Sequence, residues 1–300
     1  MKIINEGDIE SISPIFKSLK GKGKGLIDLI MKILAFDKVN QLYEHSEAYA
    51  GAAFADGILN DLGVNYVIGN SERLKNLPEG AFITISNHPY GGLDGIILID
   101  LMAAVRPDYK LMVNKVLSLV KAMKENFISV MPVTDKKLAL TITNINGIRE
   151  TLLHLQHGHP MGFFPSGAVS DFHVKNFRVR DREWQHNILS LIKTVKVPIV
   201  PIRFFDGNSP LFYFLGLIHW KIRLCRLPHE LFNKKDKKTR IGIGEIISVG
   251  EQEKYTDVKS FGAFLRKSVY EMPMPLSFVP RTLMNLPEEK KLLLNSDNKL

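Results

Sequence analysis

The sequence predicts an α/β protein: a single domain with a largely parallel central sheet flanked by helices, preceded by an N-terminal helical segment. Three observations carry that expectation. From Ile58 onward, short apolar or β-branched segments alternate with longer helical ones, the order expected of strand-helix-strand units and a parallel sheet. No Gly/Ser-, Pro- or Gln-dominated stretch interrupts this order and no internal repeat underlies it, so nothing reads as a linker or an array. Finally, 300 residues with 45% hydrophobic content suffice to bury one substantial core.

In chain order, residues 1–60 are expected as the N-terminal helical segment. Lys17, Lys20, Lys22 and Lys24 precede residues 25–34, whose apolar side chains would cover most of a helix and leave a narrow polar strip. A basic lead into such a helix suits a membrane interface, and packing on the domain core accounts for it equally well. The main domain is expected over 61–275. Residues 81–86 and 110–113 read as strands, and the apolar run 95–105 between them reads as a buried helix stopped by Pro107. The unit recurs as strand 127–130, helix 138–156, strand 161–164, helix 183–195, strand 197–204 and a further segment at 240–248. Residues 256–271 close the domain as an amphipathic helix, with Val258, Phe261, Leu265 and Val269 on one face and Pro273 beyond it. Residues 276–300 are expected as a tail, charged and frayed beyond Pro287. No run reaches the roughly 18–20 apolar residues that spanning a bilayer requires, so no transmembrane helix is predicted.

A net charge of +9 attracts anions, a class that includes nucleic acid, anionic lipid headgroups and acidic carrier proteins. The cations form short clusters beside apolar segments, with no zinc-finger spacing or aromatic RNA-binding signature, which points to a lipid surface or an anionic cofactor and away from nucleic acid. A single cysteine, Cys225, excludes an intrachain disulfide and agrees with a reducing compartment. The first twelve residues are polar and acidic, unlike a secretory signal. Together these predict a peripheral protein on the cytoplasmic face of the cell membrane.

The stretch that carries chemistry is Ser86-Asn87-His88-Pro89-Tyr90-Gly91-Gly92-Leu93-Asp94-Gly95, directly after a strand and before a helix, where α/β sheets bind ligands. Acyl transfer to a hydroxyl needs a base that removes the hydroxyl proton, and a neutral imidazole such as that of His88 can be that base. A carboxylate on the other ring nitrogen would fix the tautomer and stabilise the imidazolium, and the glycines before Asp94 permit the reversal that brings it back to His88. Such a pair needs no serine or cysteine nucleophile. From these residues alone, a simple turn with Asp94 as helix cap is the other reading.

Asn87-His88 through Asp94 resembles the first signature block of the phospholipid/glycerol acyltransferase family, the lysophospholipid acyltransferases. Phe163-Phe164-Pro165-Ser166-Gly167-Ala168-Val169-Ser170 is similar to that family's Phe-Pro-Glu-Gly-Thr-Arg-Ser block, and Val197-Pro198-Ile199-Val200-Pro201-Ile202 to its Val-Pro-Ile-Val-Pro block. The three occur in the expected order. The resemblance implies a glycerolipid acyltransferase-like fold, His88 and Asp94 as the catalytic pair, and a thioester donor, acyl carrier protein or coenzyme A, with no other cofactor and no metal. It makes Asn87, Gly91, Gly92, Pro165, Ser166, Gly167 and Ser170 candidate substrate-binding residues. Lys115, Arg178, Arg180 and Arg203 are the cations nearest these blocks in sequence, with a solvated surface as the other reading; Lys115 and Arg203 join the candidates, Arg203 because a charge inside an apolar strand needs a partner. Ser166, Gly167 and Ser170 would offer donors to a headgroup or an oxyanion.

Two departures matter. Five residues separate His88 from Asp94 where the common pattern has four, and Ser166 and Ala168-Val169 stand where it has Glu and Thr-Arg. Without that cation a phosphate dianion loses a partner, which implies a different acceptor headgroup. Both departures resemble a bacterial branch described as hemolysin-like or ornithine-lipid-type, whose members esterify the hydroxyl of an N-(3-hydroxyacyl) amino acid. Asp181-x-Glu183-Trp184 and Asp206-Gly207-Asn208-Ser209 share that likeness. The expected function is therefore an O-acyltransferase acting on a lysolipid such as lyso-ornithine or lyso-glycine lipid. A 1-acylglycerol-3-phosphate acyltransferase and a catalytically inactive lipid- or carrier-binding protein are the alternatives.

Among the remaining segments, 209–227 contains an aromatic-rich run, 211–220, too short to span a membrane and followed by Lys221, Arg223 and Arg226, which leaves membrane contact and core burial equally open. Residues 234–238 read as a solvated lysine turn. His154, His157 and His159 lack the nearby Cys or carboxylate set that a metal site needs.

Overall fold

The computed structural model describes residues 36–131 and 141–284. Helices α1 (Phe36–Ser46) and α2 (Gly51–Asp61) lead into β1 (Tyr66–Gly69) and β2 (Ile83–Ser86). Helix α3 (Gly92–Val105), β3 (Lys110–Asn114) and β4 (Phe127–Val130) follow, then α4 (Ile142–Gln156) and β5 (Met161–Phe163). A hairpin of β6 (Asp171–His173) and β7 (Arg178–Arg180) precedes α5 (His186–Val195) and β8 (Ile199–Phe204). Three short helices, α6 (Pro210–Ile218), α7 (Trp220–Cys225) and α8 (Leu227–Phe232), lead to β9 (Thr239–Ile243). The chain closes with α9 (Val249–Gln252), α10 (Val258–Tyr270), β10 (Phe278–Pro280) and α11 (Arg281–Met284).

The main sheet has the order β10-β1-β9-β8-β2-β5-β3-β4. Pairing is parallel from β8 through β2, β5 and β3 to β4, and antiparallel at β8/β9 and β1/β10. The parallel block is buried on both sides, as its near-continuous apolar strands require. Successive residues of β8 divide between two cores: Val200, Ile202 and Phe204 pack with Phe54, Leu59, Leu98 and Met102 of α2 and α3, while Ile199 packs with Leu189, Ile192, Phe261, Leu265 and Val269 of α5 and α10. Gly162 of β5 is required by a close approach, because a Cβ there would fall 1.9 Å from the Tyr109 hydroxyl, which is hydrogen-bonded to Thr84 at 2.7 Å.

Several boundaries differ from the sequence expectation for local reasons. Helix α3 starts at Gly92, three residues early, because Asp94 sits in its first turn and accepts the Gly91 N–H. Helix α5 starts late, since Trp184 donates its indole N–H to Asp181 and holds residues 183–185 outside the helix. The hairpin β6/β7 carries no apolar alternation, being mostly exposed, and so left no signal. Helix α2 packs on α3, and β10 with Arg281 extends the order into the segment expected as a tail: Arg281, 5% exposed, reaches Asp56 at 2.8 Å and Asp100 at 3.2 Å. The basic-led segment 17–34 and the residues beyond Pro287 lie outside the described residues.

Candidate active site

Strand β2 lies inside the parallel block, flanked by β8 and β5, and the loop leaving its carboxyl end holds the signature residues. Asn87 fixes where that loop begins: its side chain accepts the Phe204 N–H at 2.8 Å and donates to the Phe204 carbonyl at 2.9 Å. The amide thus adds one rung between β2 and β8, and both its ends are used inside the protein.

His88 Nδ1 lies 2.8 Å from Asp94 Oδ2. The same oxygen accepts the N–H groups of Tyr90 at 2.9 Å and Gly91 at 3.0 Å, so three donors converge on it. Asp94 is fully buried and its other oxygen, Oδ1, has no partner. Burial pushes the Asp94 carboxyl above the usual carboxylate range, and the hydrogen bonds from His88, Tyr90 and Gly91 pull it back only in part. Because Asp94 accepts, the network assigns the neutral-imidazole proton to Nδ1 and the lone pair to Nε2, which has no protein partner among the described residues. Phe164, at the end of β5, stacks on the imidazole with centroids 4.0 Å apart and holds the ring plane.

The longer spacing between His88 and Asp94 is absorbed at Gly91, whose φ of +84° only glycine adopts readily. A Cβ there would also meet Leu227 at 3.0 Å and Val169 at 3.2 Å. The His88 main chain is held from a different direction by Asp181, a fully buried carboxylate. Its Oδ1 accepts the His88 N–H at 3.1 Å and the Ser170 hydroxyl at 2.6 Å, and its Oδ2 accepts the Trp184 indole at 3.1 Å. The Ser170 N–H in turn donates to the His88 carbonyl at 2.8 Å. Asn208 and Tyr213 grip the other side of the loop through the carbonyls of Tyr90 and Pro89, both at 3.4 Å.

These contacts redistribute the predicted roles. Asp94, Asn87, Gly91 and Ser170 are gathered at His88, and Pro165, Ser166 and Gly167 lie at the adjacent strand end. Yet the Ser170 hydroxyl and N–H, the Ser166 hydroxyl (to the Ala168 carbonyl, 2.7 Å) and the Gly167 N–H (to the Phe164 carbonyl, 2.9 Å) are all spent on the protein. They shape the loops and do not present these donors to a substrate. Gly92 is exposed at the start of α3. Lys115 is exposed beyond β3, with β5 between it and β2. Arg203 faces the α10 side and donates to the Met272 carbonyl at 2.6 Å.

Other expectations change as well. Arg223 is not a surface cation: it is 2% exposed, ion-paired with Asp171 and donating to the carbonyls of Ser170 (3.1 Å) and Val169 (3.4 Å), which ties α7 to the loop beside His88. Lys234 leaves the expected solvated turn for a buried ion pair with Glu230 at 3.1 Å, under the Tyr90 ring. Asp181 and Arg223 were invisible as site residues because their partners are distant in sequence; the only hint was Asp181 within a recognised four-residue segment. In the 209–227 segment, core burial holds for Phe212 and Tyr213, whereas Phe214, Leu217, Ile218 and Trp220 are each at least 50% exposed. His154 and His159 are occupied by the Pro160 carbonyl (3.1 Å) and Asp108 (2.7 Å). Among the described residues, no helix is long and apolar enough to cross a membrane.

A family model described as Acyltransferase matches residues 29–277. The chain is also similar to the lyso-glycine lipid O-acyltransferase of Bacteroides thetaiotaomicron, 25% identical over 265 residues that cover 85% of this chain and 93% of that one. The protein of the same description from Phocaeicola vulgatus is 22% identical over 290 residues, 87% of this chain and 94% of its own.

Proposed function

The chain belongs to the acyltransferase family, and from that premise we propose that it moves a fatty acyl group from a thioester donor to the hydroxyl of a lyso-aminolipid at a membrane surface. One observation carries the chemistry: an imidazole whose Nδ1 is held by a buried carboxylate and whose Nε2 is free. Nε2 removes the acceptor hydroxyl proton as the oxygen attacks the thioester carbonyl. Asp94 stabilises the imidazolium so formed. The tetrahedral intermediate then expels the donor thiolate, which takes the proton back from Nε2, leaving an ester and a free thiol. Neither Cys225 nor a serine is needed as nucleophile.

The acceptor class is supported by the names of the two relatives and by the absence of a cation at Ala168-Val169. The donor is acyl carrier protein or coenzyme A, both of which present the same thioester. Helices α6 and α7 support the membrane reading: Phe214, Leu217 and Ile218, three and four positions apart on α6, are exposed, as is Trp220 at the start of α7, with the Lys221 ammonium 5.5 Å over its ring. Arg223 connects α7 to the His88 loop through the Val169 and Ser170 carbonyls, so a lipid held there would enter beside the imidazole. Peripheral attachment to the cytoplasmic face of the cell membrane follows from this reading.

Purified protein offered N-(3-hydroxyacyl)glycine and 1-acylglycerol-3-phosphate, each with both thioester donors, tests the proposal. Ester formation on the aminolipid, lost in His88→Ala, is the expected result. Esterification of the glycerophosphate alone overturns the acceptor, and release of free fatty acid without an acceptor overturns transfer.

A further inference from the structure

Two arginines flank one phenol ring beside the segment that carries Asp181, and a third lies next to them. The guanidinium groups of Arg180 and Arg266 lie 5.0 Å and 5.4 Å from the Tyr270 ring centroid. Arg203 is the third, with the Arg180 charge and the Tyr270 phenol as neighbours and its guanidinium 4.7 Å over the Phe205 ring. None of the three has a carboxylate partner among the described residues. Arg266 donates to the Asp181 carbonyl and Arg203 to the Met272 carbonyl, both at 2.6 Å, and the Arg180 guanidinium makes no hydrogen bond among the described residues. The nearby Asp181 carboxylate is engaged by His88, Ser170 and Trp184.

Elsewhere in this chain half-buried or buried arginines find a carboxylate: Arg223 pairs with Asp171, Arg240 with Asp206, and Arg281 with Asp56 and Asp100. Partly buried like charges without a counter-ion are unfavourable, and burial together with the Arg180 charge opposes protonation of Arg203, the Tyr270 hydroxyl acting the other way. A bound oxyanion relieves that arrangement, and planar guanidinium forks match a carboxylate or a phosphate in geometry. The position fits the reaction. Arg180 immediately precedes Asp181, which holds the His88 N–H, and Arg203 immediately precedes Phe204, which Asn87 clamps.

We propose that Arg180, Arg203 and Arg266 around Tyr270 form an oxyanion-binding subsite for an acyl-transfer substrate. The oxyanion is the carboxylate of the acceptor headgroup or the phosphate of the donor's pantetheine arm. The subsite rests on the acyltransferase reading above.

Calorimetric titration of the full chain with N-hexanoylglycine, a soluble carboxylate probe, and with 4′-phosphopantetheine, a phosphate probe, distinguishes the two sources. Wild type is expected to bind one of them, with Arg180→Gln and Arg203→Gln each weakening that binding about tenfold, the weight of one charge-assisted hydrogen bond. Arg180→Lys should restore part of the loss. Weakened binding of N-hexanoylglycine assigns the subsite to the acceptor, and weakened binding of phosphopantetheine assigns it to the donor. If neither probe binds wild type, or both Gln variants bind as wild type does, the subsite is overturned whatever acceptor the enzyme uses. Should Arg203→Gln fold poorly, Arg180→Gln carries the test, since no hydrogen bond is lost with it. Probe binding that depends on the arginines, together with no transfer to N-(3-hydroxyacyl)glycine, upholds the subsite and sinks the acceptor assignment instead.

Discussion

Replacing Asp94 by Asn separates the charge of the proposed catalytic pair from its geometry. Asp94 Oδ2 takes three donors, from His88, Tyr90 and Gly91, while Oδ1 is buried without a partner. An asparagine therefore has one favoured orientation, with its carbonyl oxygen in the Oδ2 position and its NH2 in the place of the orphaned oxygen. The opposite orientation would aim NH2 at two main-chain N–H groups, each left without an acceptor at about 1–3 kcal/mol. The Nδ1-protonated tautomer of His88 is retained, and what disappears is the attraction between carboxylate and imidazolium. A charge pair about 4 Å apart at the effective dielectric of a protein interior is worth up to about 4 kcal/mol, of which the amide dipole keeps part. A loss of about 3 kcal/mol corresponds to a fall in kcat of roughly 10²-fold.

Stability should move differently. Burial raises the Asp94 carboxyl above its ordinary value, so the folded state holds that proton more tightly than the unfolded chain does. The group therefore loses the protein stability as pH rises from the ordinary carboxylate range through the folded value. Asn removes that penalty, and Tm at neutral pH should equal or exceed the wild-type value. Steady-state thiol release with varied acceptor gives kcat and KM, and thermal denaturation gives Tm. A variant that keeps more than about a tenth of wild-type kcat, or whose loss falls on KM alone, would refute the electrostatic role of Asp94.

Other perturbations address the supports of the pair. Asp181→Asn turns an acceptor of three donors into a group whose NH2 must face one of them, and it should cost about 1–3 kcal/mol in denaturant unfolding; because it shifts the His88 main chain, kcat should fall with little change in acceptor KM, and an unaltered kcat would refute the positioning role. Gly91→Ala places a Cβ 3.0 Å from Leu227 at a positive φ, so a loss of about 1–3 kcal/mol in chemical denaturation is expected together with reduced kcat. Leu217→Asp with Trp220→Glu should weaken co-sedimentation with anionic vesicles by at least about tenfold, from about 1.5–3 kcal/mol per withdrawn apolar side chain, while a short-chain soluble acceptor is still used. Glu230 is pushed up by burial but held down to about 2 by hydrogen bonds from Ser209 and Asn233 and by the Lys234 charge. Its contribution is present above the ordinary glutamate value and lost as pH falls toward about 2, so Glu230→Gln should flatten the acid limb of a Tm-against-pH curve.

The α/β class, the helices around 95–105, 142–156 and 258–270 and the strand ending at Ser86 were legible in the sequence, because apolar periodicity is written in neighbouring residues. So were His88 and Asp94, since the loop between them is only a few residues long and its glycine permits the reversal. One end of the sheet was not: β1 and β10 are short, and their pairing depends on strands far away in the chain. Nor were the residues that hold the imidazole. Asp181 stands 93 positions from His88, and Phe204 stands 117 from Asn87. Arg223 looked like a headgroup cation until the fold put Asp171 and two carbonyls around it. The sequence by itself determined the pairing of His88 with Asp94 at the end of β2, because hydrogen-bond partners six residues apart are specified locally. Only the tertiary structure decided which polar groups face a substrate and which are consumed as scaffold, because every buried donor and acceptor must be paired and the partner is whatever side chain packing brings within about 3 Å.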